Sequence, residues 1–384
     1  MARCSVAMAQ KIHIQHVLLS LQPGGLENGV VNVVNGLDHA RFRSSICCIK
    51  QSGAFAERLQ RADVNVHEMN WRGGNDPLLP FRLARHFRLT KPDIVHSRNA
   101  ESFYYAFLGA KIAGVPSIVH SEHGRTFDDR PLRFKVQRLL SAGTDAIFSV
   151  SEQLKQDLVK YIGIESNRIQ VLYNGVDLSR FAQPRRDLTR QQLGLAPEVI
   201  VIGSVGRLAA VKNYALLLHA VAGLRRKDIV VLLVGDGPER DALVATADKL
   251  GLRDQVRFLG HSDDVVSQLG VMDIFVLPSI SEGMSNTLLE AMACGVAVVA
   301  SSVGGSPEII RDDIDGLLFP SADEAALREK LQLLVNNISL RCRLGSAGRE
   351  RIVQSFSMAA MISRYEALYE SVHANRVCRK QPES

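Results

Sequence analysis

The sequence predicts an α/β protein made of two doubly wound units. Its 384 residues exceed one ordinary domain and suit two of roughly 150–200 residues. Short β-branched apolar runs alternate with longer helix-period stretches from end to end. The runs are continuously apolar rather than alternating, as expected of parallel strands covered by helices on both faces. Hydrophobic residues make up 46% and charged residues 22%, a globular composition that excludes a disordered chain. No apolar run approaches the ~18 residues of a membrane span.

The expected strands begin with His13–Ser20, Ser44–Ile49, Val64–Glu68, Ile94–His96, Ser117–Ser121, Ala146–Val150 and Ile169–Tyr173. After a break come Val199–Val205, Ile229–Val234, Gln255–Leu259, Ile274–Pro278, Val296–Ala300 and Gly316–Phe319. Helical stretches such as Tyr214–Leu224 and Glu239–Leu250 supply the crossovers. Pro184, a run of arginines and glutamines, and Pro197 interrupt the pattern. The expected division is an N-terminal domain over 1–180, a linker over 181–198, a second domain over 199–355, a helix over 356–372 free to pack anywhere on the surface, and a fraying tail over 373–384.

Charge is uneven. Up to Arg185 there are 24 Lys+Arg against 16 Asp+Glu, and beyond it 22 against 24, for a net of +6. A basic first half suits an anionic surface or substrate. Of the six cysteines, at 4, 47, 48, 294, 342 and 378, none forms a Cys-x-x-Cys pair, and Cys47 and Cys48 should point to opposite faces of one strand. Zinc and a disulfide framework are therefore not expected, and a reducing compartment fits. Lys11 and His13 break the apolar part of the N-terminus, which predicts no signal peptide and a cytoplasmic location.

Ligands of doubly wound sheets bind outside the carboxyl ends of the strands, and with two such domains the expected site is the cleft between them. The informative residues do follow strands. After Ile274–Pro278 the chain reads PSISEGMSNTLLEAMACGVAVVASSVGG, with seven residues between Glu282 and Glu290. Ser285, Asn286 and Thr287 are good caps for a helix over Thr287–Cys294 ended by Gly295, and its free N–H groups suit an anion. Arg207 and Lys212 follow another strand and precede a helix start. Gly24 and Gly25, after the first strand, allow close backbone approach to a ligand. HSEHGR follows the strand at Ser117: His120 is read as a core histidine, Glu122 as orienting either ring, and Arg125 as a candidate for acceptor charge. Asn174-Gly175 reads as a turn closing the first domain.

The segment from Pro278 resembles the Glu-x7-Glu signature of retaining glycosyltransferase family 4, whose members have the GT-B fold of two Rossmann-like domains facing across a cleft. GRLAAVKNYALLLHA, VGDGPE, VRFLG and YNGVD extend the resemblance over nearly the whole chain. PGGLENGVVNVVNGL resembles a narrower group, the sugar transferases of exosortase and exopolysaccharide systems. The resemblance implies a nucleotide-sugar donor, a UDP-sugar favoured over a GDP-sugar, held mainly by the C-terminal domain. Glu290 would bind the ribose, Glu282 the transferred sugar, and Gly206, Arg207 and Lys212 the diphosphate. Leu259, Gly260 and His261 would lie at the base, with His261 stacking on it. Gly283, Met284, Ser285, Asn286 and Thr287 would offer N–H groups and caps, and Gly24 and Gly25 would approach the phosphate and sugar. His123, aligned on the family's strand-end histidine, would meet the transferred sugar. The reaction implied is metal-independent transfer with retention, the leaving phosphate drawing the acceptor proton. The implied acceptor is a lipid-linked saccharide in exopolysaccharide or cell-surface glycan synthesis, at the inner membrane face.

Asp313-Ile314-Asp315 matches a metal-binding Asp-x-Asp only superficially and reads as a turn. Neither Gly-Ser-Val-Gly (203–206) nor Gly-Asp-Gly-Pro (235–238) completes a dinucleotide fingerprint. Basic stripes at Arg82, Arg85, Arg88 and Lys91, and at Arg130, Arg133 and Lys135, allow contact with anionic lipid. Nucleic acid is disfavoured, since no fold that binds it is recognised and aromatics total only 6%. Two other readings are a nucleotide-sugar 2-epimerase of the same fold and a two-domain binding protein without catalysis. The Glu-x7-Glu segment with GRLAAVK favours transfer over the epimerase, and a periplasmic binding protein would need an export signal, which is not expected here.

Overall fold

A computed structural model describes residues 11–124, 131–181, 186–262 and 264–380. Cys4, Arg125, Arg130, Pro184, residues 381–384 and the side chain of Cys378 lie outside the described residues. Two parallel sheets account for the thirteen strands found among the described residues. The first holds β1 (Ile12–Leu18), β2 (Phe42–Cys48), β3 (Asn65–Glu68), β4 (Ile94–Arg98), β5 (Ser117–Glu122), β6 (Ala146–Ser149) and β7 (Ile169–Val171). The second holds β8 (Ile200–Val205), β9 (Ile229–Val234), β10 (Val256–Gly260), β11 (Ile274–Leu277), β12 (Ala297–Ser301) and β13 (Leu317–Phe319).

Strand order is β3-β2-β1-β4-β5-β6-β7 in one sheet and β10-β9-β8-β11-β12-β13 in the other. Both are doubly wound Rossmann-like sheets, and each reverses direction once, between β1 and β4 and between β8 and β11. Such a reversal opens a crevice at the carboxyl ends of its two strands. The loops that follow β1, β4, β8 and β11 are therefore the ones the topology singles out.

Burial follows the apolar runs. All six residues of β9, Ile-Val-Val-Leu-Leu-Val, are buried. The core on one face of the second sheet joins Ile202, Val231, Ile274 and Val299 to Leu217 and Leu331 of the covering helices Tyr214–Leu224 and Glu324–Asn336. In β2, Cys47 belongs to the core on one side of the first sheet and Cys48 to the core on the other, and both are free thiols. Burial raises both thiols, Cys48 to about 12.

The chain divides into two compact units: the first takes the chain to Val150, Leu154–Leu172 and the residues from Ile362, and the second takes Ser151–Gln153 and Tyr173–Met361. Two of its departures from the expected division have a physical reason. Asn174 belongs to the second unit, where its amide bonds the Met284 carbonyl at 3.4 Å and Asn286 Oδ1 at 3.0 Å. The last helix is Met358–Lys380, running through residues expected to fray. Instead of resting on an arbitrary surface, it buries Ile362, Tyr365, Tyr369 and Val372, one helical face, in the first unit. Gly36 leaves room for Ile362, since a Cβ there would lie 2.8 Å from its Cδ1. Glu366 accepts from the Asp38 backbone N–H at 2.8 Å and pairs with Arg41 at 3.2 Å, fixing the helix in register.

Candidate active site

In the second unit the segment after β11 is built around one carboxylate. Glu282 Oε1 accepts from Lys212 Nζ at 2.5 Å and from Ser279 Oγ at 2.6 Å. Its Oε2 makes no hydrogen bond among the described residues, so one carboxylate oxygen is fixed and the other is open. Lys212 arrives from the turn Ala210–Lys212 after β8, so the charge pair joins the two strand ends at the switch point. Both side chains are only partly exposed, which strengthens a charge-assisted bond relative to the surface.

The backbone around Glu282 is held from behind by the turn after β12. The Gly305 N–H donates to the Gly283 carbonyl at 2.8 Å. A Cβ on Gly304, whose φ is +52°, would stand 1.9 Å from the Glu282 carbonyl oxygen. Only glycine fits there. Gly283, Met284 and Ser285 are buried, and Ser285 Oγ caps the helix Asn286–Ala293 by accepting from the Leu288 N–H at 3.3 Å. That helix begins one residue earlier than the sequence suggests, with Thr287 inside it and Ser285 as the cap. Glu290 follows Asn286 by four residues, on the same helical face, and is partly exposed.

The loop after β8 rests on Gly-Asp-Gly-Pro, the segment that failed as a dinucleotide fingerprint. The Gly206 N–H bonds the Val234 carbonyl and the Leu208 N–H the Asp236 carbonyl, both at 2.9 Å. A Cβ on Gly235 would meet the Gly206 oxygen at 2.1 Å, and one on Gly237 the Leu208 oxygen at 2.4 Å. The two glycines thus let two strand-end loops lie directly against each other. Arg207 is exposed on this loop. Leu259 and Gly260 end β10, where the Gly260 carbonyl accepts from the Gly235 N–H at 2.7 Å, and His261 follows on the surface. The helix Tyr214–Leu224 begins without a side-chain cap. Asp315, in the superficial Asp-x-Asp, is fully buried and holds the Arg311 N–H at 2.7 Å and its Nε at 2.5 Å, a turn-forming role.

In the first unit Gly24 and Gly25 open the helix Gly25–Gly36 after β1, and no side chain caps it. Glu27 lies in its first turn, where burial raises its carboxyl above the ordinary range. His120 is fully buried, stacked on Phe103 at 3.8 Å, and bonds Ser97 Oγ at 3.0 Å and Glu122 Oε1 at 3.3 Å. His123 is half-buried beyond the end of β5, and its backbone N–H donates to Asn99 Oδ1 at 2.8 Å. The group that reaches its ring is Arg98, the last residue of β4, at 3.3 Å, together with Ser121 Oγ at 3.0 Å. Glu122 orients His120. Arg98 escaped the sequence reading, which ended that strand at His96 and so left Arg98 in a loop. Desolvation, the Arg98 cation and His120 together hold His123 well below the ordinary histidine range.

Two doubly wound parallel units, of seven and six strands, are the architecture of the GT-B glycosyltransferases. Comparisons with known proteins identify the family. Residues 23–180 match the model "Glycosyltransferase Family 4", and residues 185–351 match "Glycosyl transferases group 1". A D-inositol 3-phosphate glycosyltransferase of Salinispora arenicola is 30% identical over 308 residues, 72% of this chain and 68% of its own. The UDP-Gal:alpha-D-GlcNAc-diphosphoundecaprenol alpha-1,3-galactosyltransferase of Escherichia coli is 27% identical over 95% of this chain and 98% of its own. The crystal structure of Anabaena HepE in complex with UDP-glucose superposes with a TM-score of 0.83 at 21% identity, covering 94% of this chain and all of that one. The chain belongs to glycosyltransferase family 4 and is a glycosyltransferase.

Proposed function

We propose that the protein moves a sugar from a UDP-sugar to a lipid-linked saccharide, with retention at the anomeric carbon and without a metal, in exopolysaccharide or cell-surface glycan synthesis of the exosortase-associated kind. The observation that carries this reading is the Lys212–Glu282 pair beside the capped start of the helix Asn286–Ala293. The relative that acts from UDP-Gal on a diphosphoundecaprenol-linked GlcNAc supports the donor and acceptor classes.

In this reading Glu290 takes the ribose, and Gly283, Met284, Ser285, Asn286 and Thr287 line the phosphate end of the helix. Arg207 and Lys212, with the Gly206 backbone, receive the diphosphate. Leu259, Gly260 and His261 flank the base. The bond between the anomeric carbon and the phosphate oxygen breaks, and the diphosphate departs with the electron pair. Cations and oriented N–H groups stabilise the charge that grows on it. The acceptor hydroxyl attacks the face just vacated and yields its proton to the departing phosphate oxygen. Glu282 positions the sugar through its open Oε2, while Lys212 and Ser279 hold its other oxygen. By the resemblance, His123, Gly24 and Gly25 are sugar-contacting residues as well.

The protein sits at the cytoplasmic face of the membrane in this reading. No helix among the described residues is long and apolar enough to cross a membrane. The helices Leu79–Thr90 and Pro131–Ala142 nevertheless expose Phe81, Leu89, Leu132 and Leu139 among Arg82, Arg85, Arg88, Arg133 and Lys135. Such a mixture suits an anionic lipid surface. Titration calorimetry with UDP, GDP and ADP, with and without Mg²⁺, tests the donor site: UDP should bind alone and equally in both conditions. Failure of every nucleotide to bind, or binding that requires Mg²⁺, would sink the reading.

A further inference from the structure

Arg98 is 2% exposed, and no carboxylate pairs with it among the described residues. A buried guanidinium ordinarily needs a partner anion. Here it has neutral acceptors instead. Nη1 donates to His123 Nε2 at 3.3 Å and to Tyr365 Oη at 3.1 Å, and Nη2 donates to His16 Nδ1 at 3.3 Å. Its carbon also lies 5.4 Å from the centre of the Tyr365 ring.

A guanidinium only donates and cannot lose its proton in a protein. Any imidazole nitrogen it bonds must therefore be bare. We infer that Arg98 is a positioning residue that fixes His123 as the neutral tautomer protonated on Nδ1, so that His123 meets its substrate as a hydrogen-bond donor and not as a base.

An independent chain of bonds runs in the same sense. Tyr369 Oη lies 2.7 Å from His96 Nδ1, His96 Nε2 lies 3.0 Å from Ser121 Oγ, and Ser121 Oγ lies 3.0 Å from His123 Nε2. Burial keeps the Tyr369 phenol protonated. With Tyr369 donating to Nδ1, His96 carries its proton on Nε2 and donates to Ser121, whose single proton then goes to His123. Ser121 has a longer alternative, the Ser97 carbonyl at 3.5 Å, so Arg98 is the obligatory donor that decides the direction. Nδ1 of His123 makes no hydrogen bond among the described residues and is the donor left for a ligand.

The titratable and charged groups around His123 are Arg98 and His96 of β4, His120 and Glu122 of β5, His16 of β1, and Tyr365 and Tyr369 of the last helix. Burial and the Arg98 cation also lower His16 and His96 well below the ordinary range. Protonating any of the three would set two cations together in the core.

The proposal rests on His123 touching substrate, but its first test does not. Long-range ¹H–¹⁵N spectra of the full chain labelled in histidine, with His123 assigned by His123→Gln, read the tautomer directly. His123 should show a protonated Nδ1 and a bare Nε2, unchanged from about pH 5.5 to 8. In Arg98→Met, with the obligatory donor gone, a protonated Nε2 should appear in part of the population, and the ring should titrate at a higher pH than in the parent, with burial still holding it below the ordinary range. There kcat/KM should show no limb falling tenfold per pH unit on the acid side, since an imidazolium still donates from Nδ1; such a limb would mark His123 as a base and overturn the inference. Ser121→Ala removes the other donor and should leave the tautomer in place. A proton on Nε2 in the parent, a tautomer that flips in Ser121→Ala, or an Arg98→Met spectrum like the parent's would each overturn the inference. Expected spectra in a protein that binds no nucleotide would instead sink the transferase site and leave the Arg98–His123 relation standing.

Discussion

Glu282 and Glu290 are alike in charge and lie on one short segment, yet their surroundings differ. Glu282 has one oxygen tied down by Lys212 and Ser279 in the turn before the helix, whereas Glu290 lies within the helix Asn286–Ala293 and is partly exposed. Glu290→Ala is expected to weaken UDP binding in calorimetry at least tenfold. Glu282→Ala should leave UDP affinity within about threefold and abolish sugar transfer, since it removes an interaction made with the reacting sugar alone. Equal losses of UDP affinity would contradict this division. Gly304→Ala should be worse tolerated than either, because its added Cβ meets a backbone oxygen that cannot rotate away. A left-handed alanine alone costs about 1–2 kcal/mol. Urea unfolding of the second unit should therefore lose more than about 2 kcal/mol, with transfer lost alongside.

Among the elements, the strands were the most legible. A parallel strand covered on both faces is apolar along its length, and β9 and β11 show as unbroken runs. The same rule hid the end of β4. Ser97-Arg98 looks like a loop because a buried arginine violates the ordinary placing of charge. Pairing of Arg98 with Ser121 across the sheet nonetheless extends the strand. The last helix was legible as a helix through its 362, 365, 369 and 372 spacing, but periodicity names a buried face without naming what buries it. Gly235 and Gly237, after β9, were weighed only as a dinucleotide fingerprint, since close approach of two loops is a long-range fact. The cap Ser285 was readable from local chemistry. Ser285→Ala should cost about 1 kcal/mol in urea unfolding and should lower UDP affinity severalfold by loosening the helix start.

At the scale of the whole molecule, the first unit carries an acid liability. His16 and His96 are fully buried, and with His123 they are held neutral when folded. Once unfolded, each regains an ordinary value near 6.5 and takes up a proton below it. The unfolded chain then binds more protons than the folded one, so stability falls as pH drops through 6.5 toward the lowered folded values. The slope is about 1.4 kcal/mol per pH unit for each such histidine. The thermal midpoint of the first unit should fall steeply between about pH 6.5 and 5, and Arg98→Met should soften that fall by relieving one neighbour of the cluster. A midpoint flat over this range would mean that the three histidines are already charged in the fold.

The placing of Tyr365 and Tyr369 bears on how the chain is born. Residues 173–361, with Ser151–Gln153, form a unit drawn almost wholly from one continuous stretch, while the first unit takes both the opening 150 residues and those from Ile362 onward. As the chain leaves the ribosome, its earliest-made half cannot close over Arg98, His96 and Phe42 until the helix around Tyr369 has emerged. The later-made half can finish first. Truncation before Ile362 should thus spare the domain nearer the cut and unsettle the one synthesised first.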